Sequence, residues 1–111
     1  MMHEMNLQPN PFDTIKSGRK TIEMRLNDER RKNIKIGDVI MFTNNQSGEV
    51  LIAEVINLFH FKNFEELYAH FDKKELGYLD DEIAKPSDME IYYSKGKIEQ
   101  YGVLGIEIQL I

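Results

Sequence analysis

The chain of 111 residues has no cysteine and no tryptophan, and only three prolines and three histidines. Without cysteine there is no disulfide, no thiolate nucleophile and no zinc site of the cysteine type. His3, His60 and His70 lie far apart with no metal-ligand spacing, so no metal is expected and they read as structural histidines. The glycines form no phosphate-cradling loop and no nucleophile elbow, so no bound cofactor is expected. No apolar run approaches membrane-spanning length, and the N-terminus carries His3 and Glu4 where a secretory signal is basic and then apolar. The expectation is a cytoplasmic protein with no membrane contact. There is no linker, repeat or low-complexity stretch, so residues 1–111 read as one domain.

What the chain does have is unevenly placed charge. The net charge is -5. From Lys16 to Lys35, however, basic residues outnumber acidic ones by five, so the remainder carries an excess of ten negative charges. A steering field depends on such local arrangement more than on the sum. Lys16, Arg19, Arg30, Arg31, Lys32 and Lys35 are therefore candidates for a phosphate-facing patch. The competing reading is a basic loop that offsets acidic helices elsewhere.

Hydrophobic spacing gives a coarse map. Met5 and Leu7 form the inward face of a short first strand. Asn10 caps a helix with Pro11 at its first position, Phe12 and Ile15 inward and Gly18 at its end. From Lys20 to Leu26 the period becomes two, with Ile22, Met24 and Leu26 on one face and Thr21, Glu23 and Arg25 on the other. Asn27 to Asn33 is a polar loop and Val39 to Thr43 a strand. Asn44 to Gly48 is a hairpin turn, and Glu49 to Phe61 a long strand bent for barrel closure. Asn63 and Glu66 make a capping box for a helix carrying Phe64, Leu67, Tyr68 and Phe71. Asp72 to Lys85 is acidic and ambiguous. Ser87 with Glu90 repeats the capping signature, and Tyr101 to Ile111 is a final strand closing the sheet. Strands at both ends around a helical insert suggest an α+β mixed β-barrel with short flanking helices.

The densest chemistry lies in Gly18-Arg19-Lys20-Thr21-Ile22-Glu23-Met24-Arg25. Buried charges without partners cost several kcal/mol, so this cluster must be solvated, paired or used. On spacing alone it reads as an edge strand with a solvated face. Strand parity puts Glu23 and Arg25 on one face and Lys20 on the other, so all three converge only if the chain bends near Lys20 or Thr21.

Together with Ile36-Gly37-Asp38-Val39 and the closing Tyr101-Gly102-Val103-Leu104, this stretch resembles the ASCH family, small domains with a PUA-like barrel. The match runs from about Asn6 to Ile108, and Lys20, Glu23 and Arg25 fall on the family's motif positions. The resemblance implies convergence of the three on one cleft and binding of RNA or of a nucleoside or nucleotide. One branch of the superfamily comprises amidohydrolases that deacetylate N4-acetylcytidine, using the motif lysine, a threonine three residues on and a later glutamate. Here Lys20 matches the first, but Glu23 replaces the threonine, and Glu66 and Glu75 are equal candidates for the last.

Three functions therefore stand side by side. The leading one is a binding module for RNA or a nucleotide-sized ligand, with Lys20, Glu23 and Arg25 in its cleft. Tyr92, Tyr93 and Tyr101 are candidate stacking faces in that module, and Asn44 a candidate base-edge reader, against a plain turn role for Asn44. The second is a small amidohydrolase with Lys20 and Glu23 catalytic. The third is a protein-interaction module.

Overall fold

The computed structural model describes residues 1–111. The strands are β1 (Met2–Leu7), β2 (Ile22–Leu26), β3 (Val39–Asn44), β4 (Val50–Phe61) and β5 (Val103–Leu110). The helices are α1 (Pro9–Lys16), α2 (Phe64–His70) and α3 (Lys95–Tyr101), with a 3-10 turn at Pro86–Ile91. One five-stranded sheet has the order β1-β3-β4-β5-β2. The β1–β3 pair is parallel and the rest are antiparallel. The sheet curls into a PUA-like half-barrel, with β1 and β2 as its two free edges.

Two apolar clusters fix this shape. Phe12 and Ile15 of α1 and Ile34 of the 27–38 loop pack with Phe42, Val55, Leu104 and Ile106 inside the curl. On the other side Ile22, Met24 and Val103 meet Phe64, Leu67, Leu76 and Met89. Burying each large apolar side chain contributes about 1.5–3 kcal/mol. Both faces of β2 are therefore covered, and Glu23 is buried along with its apolar neighbours. No helix is long and apolar enough to cross a membrane.

Several boundaries differ from the sequence reading for identifiable reasons. Helix α1 starts at Pro9, not after an Asn10 cap; Gln8 holds the cap position without a side-chain bond, because Pro9 is already suited to the first turn. Strand β1 extends back to Met2, where pairing with Val39 supplies its partners. The long strand does bend, at a register shift between Val55 and Asn57. Asn63 Oδ1 accepts from the Glu66 N–H at 2.9 Å, but the Glu66 carboxylate takes the Lys62 N–H at 3.1 Å. Ser87 caps nothing; in the 3-10 turn Asp88 accepts from the Lys85 N–H at 3.3 Å.

Helix α3 was not anticipated. Ser94 Oγ caps it by accepting from the Lys97 N–H at 3.3 Å. Tyr101 is thus the last residue of a helix rather than the first of a strand. Gly102, at φ +72°, makes the switch, and a Cβ there would lie 3.0 Å from the Phe61 carbonyl oxygen. Strand β5 does not close the sheet either. It sits between β4 and β2, so the seam between β1 and β2 stays open, and that opening forms the site.

Candidate functional site

The open seam beside α1 forms a cleft of about 580 Å³. Its lining includes Lys20, Glu23 and Arg25, together with Tyr68, Tyr78, Asp88, Tyr92 and Tyr93. The three motif charges meet because the chain bends where it enters β2. The Thr21 and Ile22 N–H groups both donate to the Glu75 carbonyl, each at 3.0 Å. In a regular strand successive N–H groups point opposite ways, so a shared acceptor marks the bend. Just before it, the Lys20 N–H donates to the Thr14 carbonyl at 3.0 Å. These bonds turn the Lys20 side chain onto the face of Glu23.

Glu23 is the hub. Its Oε1 lies 3.0 Å from Lys20 Nζ, and its Oε2 lies 2.8 Å from Arg25 Nη2 and 2.9 Å from Arg25 Nε. The side chains of Lys20 and Glu23 are 8% and 3% exposed, so both pairs sit largely out of water. Burial pushes the Glu23 carboxyl up, but the Lys20 and Arg25 charges and their hydrogen bonds outweigh it and hold the group at about 2. Burial would likewise lower the Arg25 guanidinium, yet the Glu23 charge and the nearby Tyr93 hydroxyl raise it instead. Arg25 Nη2 also donates to the Asn6 carbonyl at 3.2 Å, bridging β2 to β1 across the seam.

The carboxylate carries one negative charge between two positive ones, so the cluster keeps a net charge of +1. The Lys20 ammonium donates to no other protein group, although it has three N–H bonds. Its stem lies against Gly77, whose φ is +100° and where a Cβ would stand 3.0 Å from Lys20 Cδ. Gly77 thus lets the 72–80 segment press Lys20 towards Glu23.

A second polar feature lines the same cleft. Tyr78 donates to Asp88 Oδ2 at 2.7 Å, and the Tyr68 and Tyr78 hydroxyls are 2.8 Å apart. A phenol has one proton, so with that of Tyr78 on Asp88, Tyr68 must donate to Tyr78. What Tyr68 has left to offer is its lone pairs. Burial raises the Tyr78 hydroxyl, with Tyr68 and Asp88 adding to the shift. Burial also raises Tyr68, so both remain neutral phenols. Donors therefore come from Lys20 and Arg25, and an acceptor from Tyr68.

The other sequence candidates divide. Tyr92 and Tyr93 line the cleft; Tyr92 is 54% exposed, and Tyr93 stacks on Phe64 with centroids 6.2 Å apart. Tyr101 is at the end of α3, outside the lining. Asn44 is also outside: its Oδ1 accepts from the Gln46 and Ser47 N–H groups at 2.8 and 3.2 Å, which is the turn role. Four of the six basic candidates are held in ion pairs. Lys16 pairs with Glu49, Arg19 with Asp80, Arg31 with Asp28 and Lys32 with Glu29. Lys35 has no ion pair, and its N–H donates to Asp38 Oδ2 at 3.0 Å. Arg30 and Arg31 line a second groove on the far side of Arg25.

Of the glutamates considered for catalysis, Glu66 and Glu75 both lie outside the cleft lining and accept from backbone N–H groups. Sequence reasoning missed Tyr68, Tyr78, Asp88 and Gly77. Tyr68 was visible only as part of an inward helix face, Gly77 and Tyr78 fall in the ambiguous Asp72 to Lys85 stretch, and Asp88 lies between Ser87 and Glu90, where the capping signature drew attention away from it.

A PUA-like half-barrel with a buried Lys–Glu–Arg cluster at its seam defines the class. The ASCH domain model matches residues 5–111, and the chain belongs to the ASCH family. The crystal structure of the hypothetical protein PH0355 is similar at TM-score 0.83 and 30% identity, with all of each chain covered. The solution structure of PF0455 from Pyrococcus furiosus is similar at TM-score 0.72 and 33% identity, covering 100% of this chain and 98% of that one. ASCH from Zymomonas mobilis shares the fold at TM-score 0.68 and 15% identity, over 97% of this chain and 66% of that one. No curated protein matches the chain.

Proposed function

We propose that the seam cleft binds a nucleobase, as a nucleoside, a nucleotide or part of a single-stranded RNA. The observation that carries this reading is the convergence of Lys20, Glu23 and Arg25 in a cleft that also presents aromatic faces and a lone-pair acceptor. A nucleobase needs that combination: an aromatic surface for its ring, donors for its carbonyl oxygens and an acceptor for its N–H groups. Exposed Tyr92 supplies the first, Lys20 and Arg25 the second and Tyr68 the third. Family membership supports the same reading.

The deacetylase alternative is opposed by the chemistry of Glu23. A carboxylate held at about 2 is a very weak base at neutral pH, far from the value that suits a general base. Glu23 also occupies the position where a hydroxyl is expected, and neither Glu66 nor Glu75 lines the cleft. Lys20 therefore acts as an electrostatic ligand.

The test is calorimetry or amide-shift titration with the ribonucleosides and a short single-stranded RNA. Saturable binding that shifts the Lys20, Gly77 and Tyr92 amides supports the reading. Absence of any cleft response, or release of cytidine from N4-acetylcytidine by the wild type but not by Lys20→Arg, overturns it.

A further inference from the structure

We propose that the second groove, on the far side of Arg25, is a phosphate subsite for the ligand whose base occupies the cleft. The proposal rests on the nucleobase reading above. The groove encloses about 630 Å³ and runs along the other half of the open seam. One wall is β1 from Met2 to Asn6; the other is Arg25, Arg30 and Arg31. Asn6 and Arg25 line both the cleft and the groove. The bridge from Arg25 Nη2 to the Asn6 carbonyl is thus the partition between them.

The charges in the groove are lopsided. Three guanidinium groups face one ionisable carboxylate, that of Glu4. The remaining titratable group, His3, is engaged at 2.8 Å by Asp38. Arg25 is balanced by Glu23, and Arg31 is balanced by Asp28 through Nη1 alone. Arg30 has no carboxylate partner; only its backbone N–H meets Asp28. Each guanidinium has five donors in a planar fork. The bonds formed leave Nε and Nη2 of Arg31 and the whole guanidinium of Arg30 unclaimed. Unclaimed forks along a groove suit the oxygens of a phosphate group. Arg25 then stands between the two halves, holding Glu23 in the cleft and the Asn6 carbonyl at the boundary.

Covering the bare edge of β1 is the other role these arginines could have. The two roles differ in what removal does to ligands. The experiment titrates the isotope-labelled protein with the ribonucleosides, their 5′- and 3′-monophosphates, and a single-stranded RNA tetranucleotide. Phosphorylated ligands are expected to bind about tenfold or more tightly than the nucleosides and to weaken with added salt. They should also shift the Arg30, Arg31 and Ile34 amides, which the nucleosides leave in place. Arg30→Gln with Arg31→Gln should erase the advantage while preserving nucleoside affinity and cooperative unfolding, with the melting temperature lowered by loss of the Arg31–Asp28 pair. The mononucleotide and tetranucleotide arms tell a terminal phosphate from a strand phosphodiester. Equal affinity with and without phosphate, or an advantage that survives the double substitution, overturns the subsite and leaves the cleft reading standing. Shifts at Arg30 and Arg31 with the cleft silent overturn the shared ligand and the cleft reading together.

Discussion

Replacing Glu23 by glutamine removes the one negative charge that lets two cations sit in the seam. The amide keeps the shape and one acceptor oxygen, so the loss is electrostatic. Breaking a buried ion pair by removing one partner costs about 3–5 kcal/mol, because the remaining charge is left uncompensated. Here two cations are left, with Lys20 at 8% exposure and Arg25 at 13%. The upper half of that range is therefore expected. At roughly 4 °C per kcal/mol for a domain near this size, the melting temperature should fall by about 15–20 °C at pH 7. Circular dichroism melts and urea titrations measure both quantities.

The pH profile gives a second, independent readout. The Glu23 carboxyl is lowered from 4.5 to about 2 on folding. A lowered carboxylate adds stability that is fully present above its unfolded value and is lost as pH falls through the folded one. Glu23 should therefore contribute about 3 kcal/mol that disappears between roughly pH 4.5 and 2. Asp38, lowered from 3.8 to about 2 by the His3 hydrogen bond and the Lys35 N–H, loses its contribution over nearly the same window. Glu23→Gln should flatten the acid limb, leaving mainly the Asp38 part. A substitution costing under about 1 kcal/mol at pH 7, or an unchanged acid limb, would refute the claim that Glu23 is ionised and paired in the folded protein.

Lys20→Arg should retain much of the ligand affinity while Lys20→Ala loses about tenfold or more, as titration calorimetry will show; equal losses would mean that the ammonium's shape, not its charge, is recognised. Gly77→Ala forces a side chain into φ +100° and against Lys20 Cδ. It should cost about 1–2 kcal/mol in urea titrations and weaken ligand binding as Lys20 is displaced. Tyr68→Phe removes the lone-pair acceptor but not the ring, so affinity should fall selectively for bases with a free amino group, and a uniform loss would count against the assigned proton direction. Asn63→Ala should cost about 1 kcal/mol by removing the α2 cap, with ligand affinity unchanged.

Much of the fold was legible because local signals agreed with the final packing. The alternation Ile22, Met24, Leu26 marked β2, and Asn63 marked α2, since both patterns are set by short-range geometry. The Lys–Glu–Arg cluster was legible as composition but not as geometry. Parity put Lys20 opposite Glu23, and the bend that reverses this depends on the Glu75 carbonyl, more than fifty positions away. A remote acceptor leaves no periodic trace at Lys20. The same holds for the Tyr68–Tyr78–Asp88 chain, whose members come from α2, a turn and a 3-10 segment. The place of β5 was misread for a related reason: a terminal strand closes a sheet only if its neighbour is free, and strand order is decided by pairing over long separations.

The arrangement of charges argues about purpose more than any one distance does. Buried ion pairs are poor stabilisers: apolar side chains of similar volume usually match or exceed them. A fold selected only for stability gains little by keeping a lysine, a glutamate and an arginine in its seam. Yet the surrounding chain is built to keep them there. The bend at Thr21 turns Lys20 inward, Gly77 gives up a side chain to press on its stem, and the Asn6 carbonyl anchors Arg25. Each device positions a charge, and none of them adds apolar burial. Substituting all three charges by Met, Leu and Met would therefore leave the half-barrel standing while stripping the cleft of its charged donors, with the tyrosines and Asp88 left to contact a ligand.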